Sequence, residues 1–190
     1  MADTPRDEVI AEHILAPIDV ALERDDGKDV VVMRREFVHT PEKLWQLLTQ
    51  PELLAHWSPI VPNRVLDSVG PATSRENPDD APVDAEVLSV AAPYAVTHRW
   101  DTEVLAWGIT PSEHSSIERG SSEQGSVLQL RQSVGDPEFI SMMVAGWQVC
   151  FGRLAAEEDG VDRERVVGER AMDYGWKELN EHYQATLSAD

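Results

Sequence analysis

Hydrophobic positions along this chain change period several times, and the changes divide it into elements. Val30-Val31-Val32-Met33 leads into Phe37 as a β-rich run. Thr40 then supplies an N-cap oxygen, and Pro41 suits the first helical position, where a backbone N–H has no partner to lose. Leu44, Trp45, Leu47 and Leu48 give the following helix one apolar face. Pro51 stops that helix and opens a second short one ending at Trp57.

Beyond Trp57 the pattern shortens towards period two. Strands are predicted near Val83–Val90, Ala95–Trp100, Val104–Thr110 and Ser126–Val134, with Asp101-Thr102 as a tight connection. Gly70-Pro71 and Asn77-Pro78-Asp79-Asp80 punctuate the stretch before them. Ser112–Gly125 is polar and rich in Gly and Ser, and reads as a long mobile hairpin loop. Residues 138–188 return to a helical period. Met143, Trp147, Cys150, Phe151 and Leu154 share one face, and Met172, Trp176, Leu179, Tyr183 and Leu187 form a second stripe, with Gly160 and Gly168 marking a break or kink between them. At the N-terminus, Val9, Ile10, Ile14 and Leu15 suggest a short helix ended by Pro17. Ile18–Leu22 suggests a strand, and Asp25-Asp26-Gly27 a hairpin turn before Val30. Residues 1–28 are therefore expected to form an extension, and residues 29–188 one α+β domain in which antiparallel strands precede a long, kinked C-terminal helix.

Composition narrows the function classes. A net charge of −19, from 35 acidic and 16 basic residues, repels phosphate backbones and anionic membrane surfaces. No nucleic acid and no membrane is expected as a partner, and no apolar run approaches the length of a membrane span. The start MADTPRDEVI lacks an apolar signal core. The single Cys150 has no internal disulfide partner, which suits a reducing, cytoplasmic location. No His, Cys or carboxylate residues have metal-ligand spacing on one element, and no phosphate loop or nucleophile elbow is present, so neither metal nor cofactor is expected.

Several short motifs occur in an order that resembles the activator-of-Hsp90-ATPase-like family, within the START/Bet v 1-like (SRPBCC) superfamily. They are Arg35 and Phe37; Pro41 and Trp45; Leu48, Thr49 and Pro51; and Trp57. His98-Arg99-Trp100, Leu105-Ala106-Trp107-Gly108-Ile109 and Gly125-Ser126-Val127-Leu128-Gln129-Leu130 follow, then Ala145-Gly146-Trp147, Cys150-Phe151 and Gly175-Trp176 with Leu179. Two positions depart from the family pattern. Asp67-Ser68-Val69-Gly70-Pro71 stands where a Gly-Gly strand is common, and Gln132 stands where the Leu-x-Leu strand often ends in His.

The resemblance implies a helix-grip fold, in which a curved antiparallel sheet wraps the C-terminal helix around a cavity. Period-2 alternation then proposes a lining of Val96, His98 and Trp100; Leu105, Trp107 and Ile109; and Leu128, Leu130 and Gln132. The helix adds Met143, Trp147 and Phe151, and Trp57 stands at the mouth. For any one of these apolar residues, close core packing is the competing role. Such a lining points to an apolar or aromatic small-molecule ligand. Two alternatives stay open: a cyclase/aromatase- or hydrolase-like enzyme with His98 as its acid–base group, and a chaperone-related protein-interaction module. A homodimer is compatible with a domain of this kind.

Overall fold

The computed structural model describes residues 5–115 and 124–187. An N-terminal helix α1 (Glu8–Ile14) and strand β1 (Asp19–Asp25) precede β2 (Lys28–Phe37), α2 (Pro41–Thr49) and α3 (Pro51–Trp57). Five short or medium strands follow: β3 (Val61–Pro62), β4 (Thr73–Arg75), β5 (Val83–Asp84), β6 (Val87–Ala91) and β7 (Ala95–Trp100). The long pair β8 (Glu103–Ser115) and β9 (Gln124–Val134) leads to α4 (Ile140–Ala155) and, after an interruption, α5 (Trp176–Leu187).

Local chemistry sets the boundaries. Thr40 caps α2 by accepting from the backbone N–H of Lys43 at 3.3 Å, and Pro41 occupies the first turn. Asp26 and Gly27 both adopt positive φ, 48° and 79°, the backbone of the tight turn that joins antiparallel strands. Asp101 does the same between β7 and β8, with φ 55°. The first 28 residues thus supply a helix and an edge strand of the main sheet.

Six antiparallel strands form that sheet in the order β1-β2-β9-β8-β7-β6. Its register builds rows across the inner face: Met33 pairs with Leu130, Leu130 with Trp107 and Trp107 with Val96, while Val31, Gln132, Leu105 and His98 form the row beside it. Alternation places all of these on one face, which is buried against α4. A separate three-stranded sheet, β3-β4-β5, is built from Pro- and Gly-punctuated sequence that predicted no strands before Val83. There the Arg64 guanidinium binds the carbonyls of Val65, Ser68, Gly70 and Pro71, each at 2.9 Å. That side chain organises the loop in which the Gly-Gly strand is replaced.

The predicted strand Val83–Val90 is divided between the two sheets, with Ala85 buried between its halves. Pairing of β8 and β9 extends to Ser115 and Gln124, so the expected loop Ser112–Gly125 is strand at both ends, and its centre, 116–123, lies outside the described residues. Helical structure over 138–188 is also interrupted. After α4 the chain makes short 3-10 turns at Ala156–Asp159 and Gly168–Tyr174, separated by backbone without regular structure. Gly160, Gly168 and Gly175 take the left-handed conformation at φ 67°, 54° and 84°, which ends a helix readily and continues it poorly.

α4 is buried around most of its circumference. Val144, Trp147, Phe151 and Leu154 face the sheet. Val149, with Ala156 just past the helix end, packs into a second cluster with Ile10, Ile14, Val166, Ala171 and Tyr174. Gly152 marks the crossing with α1, since a Cβ there would lie 2.8 Å from the backbone nitrogen of Ile14. The helical stretch Pro137–Asp159 is long and apolar enough to cross a membrane by composition, unlike any run anticipated from the sequence. Its most apolar window is 78% buried inside the protein, the signature of a core helix.

Candidate functional site

Where the inner face of the sheet packs against α4, buried aromatic rings meet. Trp147 lies among them, with ring centroids 5.3 Å from Trp107, 6.1 Å from Phe151 and 6.4 Å from Trp57. The three buried indoles each have a different acceptor. Trp57 donates to the Leu47 carbonyl at 3.0 Å, Trp107 to Nε2 of His98 at 3.0 Å, and Trp147 to Oε1 of Gln132 at 2.7 Å. Gln132 thus serves as an uncharged acceptor for a core tryptophan, consistent with the cost of leaving a buried N–H unpaired.

His98 is held by both ring nitrogens. Nε2 accepts from Trp107, so Nδ1 carries the proton and donates to the Arg99 carbonyl at 2.8 Å. Burial lowers its pKa below the usual imidazole range, because a second proton would be desolvated and would confront the Trp107 N–H. This arrangement suits a structural histidine with neither nitrogen offered to a substrate.

An open cleft lies one layer away, on the other side of Trp147. It has a volume of about 480 Å³, within the range of small-molecule sites. α4 contributes Met142, Met143, Gly146, Trp147 and Cys150, which share one face at helical spacing. The opposite wall is a strap, residues 166–172, including Val166, Val167, Gly168, Glu169, Ala171 and Met172. Trp176 from α5, Trp100 from the end of β7 and Pro59 complete it. Trp100 and Trp147 meet at 66° with centroids 5.9 Å apart, forming an aromatic corner.

Of the residues expected to line a cavity, Trp100, Met143 and Trp147 reach this cleft. Trp57, Val96, His98, Leu105, Trp107, Ile109, Leu128, Leu130, Gln132 and Phe151 are buried within the core that supports it. The helical period over residues 138–188 does not point to the strap, whose backbone is not continuous helix. The signal for the strap lay in Gly160, Gly168 and Gly175, which bracket the non-helical stretch.

Charge holds the strap in place. Arg153, buried in α4, donates to the carbonyls of Glu164 at 2.7 Å and Arg163 at 3.0 Å and pairs with Glu157 at 2.6 Å. Arg165 reaches the carbonyls of Ser58 and Glu76. Arg163 pairs with Asp7 at 2.6 Å and also with Asp159. Arg170 binds both carboxylate oxygens of Glu164, at 2.6 and 2.7 Å, and Tyr174 donates to the same group at 2.6 Å. The Arg170 guanidinium and the Tyr174 hydroxyl hold the Glu164 carboxyl below its ordinary range. Burial opposes the effect at Asp7, but Arg163 and the N–H groups of Ile10 and Val9 lower that carboxyl too.

Two ionisable side chains line the cleft. Burial pushes the Cys150 thiol up to about 12, leaving it protonated and poorly nucleophilic at neutral pH. Glu169 is exposed at the rim. Among the described residues, no three His, Cys, Asp or Glu side chains converge as a metal site.

Solved structures share this architecture. EF2215 from Enterococcus faecalis matches with a TM-score of 0.66 and 15% identity over 95% of each chain. CalU16 from Micromonospora echinospora matches with a TM-score of 0.63 and 14% identity, over 92% of this chain and all (100%) of that one. DynU16, a protein of the dynemicin biosynthetic locus, matches with a TM-score of 0.56 and 20% identity over 75% of this chain and 51% of its own. At these identities the likeness shows the helix-grip fold. No curated protein matches the sequence. The family model described as activator of Hsp90 ATPase homolog 1-like protein matches residues 39–158, more than half of the chain, so this protein belongs to that family within the SRPBCC superfamily.

Proposed function

We propose that this protein binds one small molecule with an apolar or aromatic body in the cleft between α4 and the strap. The observation that carries the proposal is the cleft's composition. Three tryptophans, three methionines, valines and a protonated thiol surround an accessible volume of about 480 Å³. Such a surface gains from being covered, at about 25 cal/mol per Å² of apolar area removed from water. Methionines adapt to ligand shape, and tryptophan rings give flat contact at little entropic cost.

Support also comes from how the walls are built. The α4 wall is backed by the closed indole cluster around Trp147, and the strap is pinned by Arg153, Arg163, Arg165 and Arg170. A pre-formed site loses little ordering entropy when it binds. DynU16, which shares the fold, is a protein of the dynemicin biosynthetic locus, where small molecules are made. A free, buried Cys150 fits a reducing compartment.

Native mass spectrometry tests the proposal, on the protein as purified and after incubation with N-phenylnaphthylamine, a neutral aromatic probe. One adduct per chain is expected, either co-purified or formed on addition. A bare mass under both conditions would refute it.

A further inference from the structure

We infer that the cleft selects an organic cation: a molecule whose apolar or aromatic body lies between α4 and the strap and whose positively charged nitrogen sits at the Glu169 end. The inference deepens the proposed function and rests on it. Its starting point is the charge of the lining. No Lys, Arg or His side chain contributes to the cleft wall, and its one charged side chain is Glu169. Arg165 is near enough to act on Cys150, but its guanidinium is committed to the Ser58 and Glu76 carbonyls. A carboxylate or phosphate ligand would therefore lose its hydration beside a like charge, with no cationic side chain in the wall to replace the water.

The carboxylates near Glu169 in sequence are already engaged. Glu164 is bound by Arg170 and Tyr174, and Asp173 pairs with Arg170 at 2.7 Å. Glu169 lies between them in sequence and makes no ion pair or side-chain hydrogen bond with any described residue. It is thus the acid of this segment left for a ligand.

The aromatic walls match the same charge. Indole faces carry negative quadrupole density and attract cations within about 6 Å, most strongly when the site is shielded from water. Trp100 and Trp147 form a corner at 66°, and Trp176 adds a third indole to the lining. The polar N–H edge of Trp147 is occupied by Gln132 in the core. A net charge of −19 raises the local concentration of cations and speeds their encounter.

Three probes with a common naphthyl body and different charge separate this idea from simple apolar binding: naphthylmethyl-trimethylammonium, its neutral carbon isostere neopentylnaphthalene, and naphthylacetate. Each is titrated against the full-length protein by intrinsic tryptophan fluorescence. The cation is expected to bind about tenfold more tightly than the neutral isostere, with the anion weakest. Glu169→Gln removes most of the cation's advantage over the neutral isostere. Glu42→Gln, on α2 and outside the lining, leaves that advantage intact. Raising salt from about 0.05 to about 0.5 M narrows the gap between cation and neutral isostere. If the neutral isostere binds as tightly as the cation, or Glu169→Gln leaves the cation's advantage untouched, cation selection is overturned while the apolar-cleft reading stands. If none of the three shows saturable binding, both readings fall.

Discussion

Replacing Gly152 by Ala sets two effects of known sign against each other. Alanine favours the interior of a helix by about 0.5–1 kcal/mol over glycine. At Gly152, however, the new Cβ would lie 2.3 Å from Cγ1 of Ile14, 2.8 Å from its backbone nitrogen and 2.9 Å from its Cα. The Ile14 side chain can turn away, but its backbone cannot move without carrying the end of α1. That displacement strains the cluster of Ile10, Ile14 and Val149 and the hydrogen bond from Gln148 to the Ile14 carbonyl at 2.8 Å. Overpacking costs about 1–3 kcal/mol and a lost buried hydrogen bond about 1 kcal/mol more. Net destabilisation of about 1–3 kcal/mol is therefore expected for Gly152→Ala.

Gly146, on the same helix, supplies the control. A Cβ there would meet Nε1 of Trp176 at 3.8 Å, an ordinary contact. Gly146→Ala should keep the propensity gain and stabilise by about 0.5–1 kcal/mol. Urea denaturation followed by tryptophan fluorescence measures both variants against the parent, with equal m-values required. Gly152→Ala at or above parental stability, or the two variants shifting in the same direction, would refute the packing argument.

Gln132→Met should cost about 1–3 kcal/mol by stranding the Trp147 N–H. Trp147→Phe added to it should cost less than the two single losses combined, as a double-mutant cycle in urea would reveal. His98 titrates with a depressed pKa in the folded protein, so the unfolded chain binds the extra proton more readily. Its contribution is therefore intact above about 6.5 and lost as pH falls from there through the folded value. The ring-nitrogen shifts of His98 in NMR should report a neutral Nδ1–H tautomer at pH 7, and an imidazolium there would contradict the assignment. Asp7 and Glu164 have lowered pKa values, so their support of the strap is present above about 4–4.5 and lost on further acidification. Hydrogen exchange of residues 163–174 should accelerate in that acid range before exchange in the β8–β9 pair does; unchanged strap protection would sink this prediction.

The parts of the fold carried by short-range rules were legible in the sequence. Thr40-Pro41, Pro51 and Asp26-Gly27 act through their own backbone chemistry, and the alternation over Ala95–Trp100 and Ser126–Val134 sets which face is buried. Alternation gives the face and says nothing of what fills the space beyond it. Whether Trp107 and Leu130 line a hollow or close on Trp147 depends on side-chain volumes brought together from four separate elements. The strap was hidden for a related reason. Met172 and Trp176 fit a helical period with Leu179 and Tyr183, but Gly175 at φ 84° breaks the helix between the first two. Arg163, Arg165 and Arg170 find their partners in Asp7, Ser58, Glu76 and Glu164, contacts that largely join distant parts of the chain and that no local pattern encodes.

The central claim is that the cleft beside Trp147 is a ligand site. A paired isotherm tests it most directly: N-phenylnaphthylamine titrated into the parent protein and into Gly146→Phe, whose new ring would project into the cleft from α4. The account predicts saturable binding at one site per chain in the parent, and affinity weakened by about tenfold or more in a variant whose urea midpoint is retained. Equal affinity in the two proteins, or no saturable binding in the parent, would contradict it.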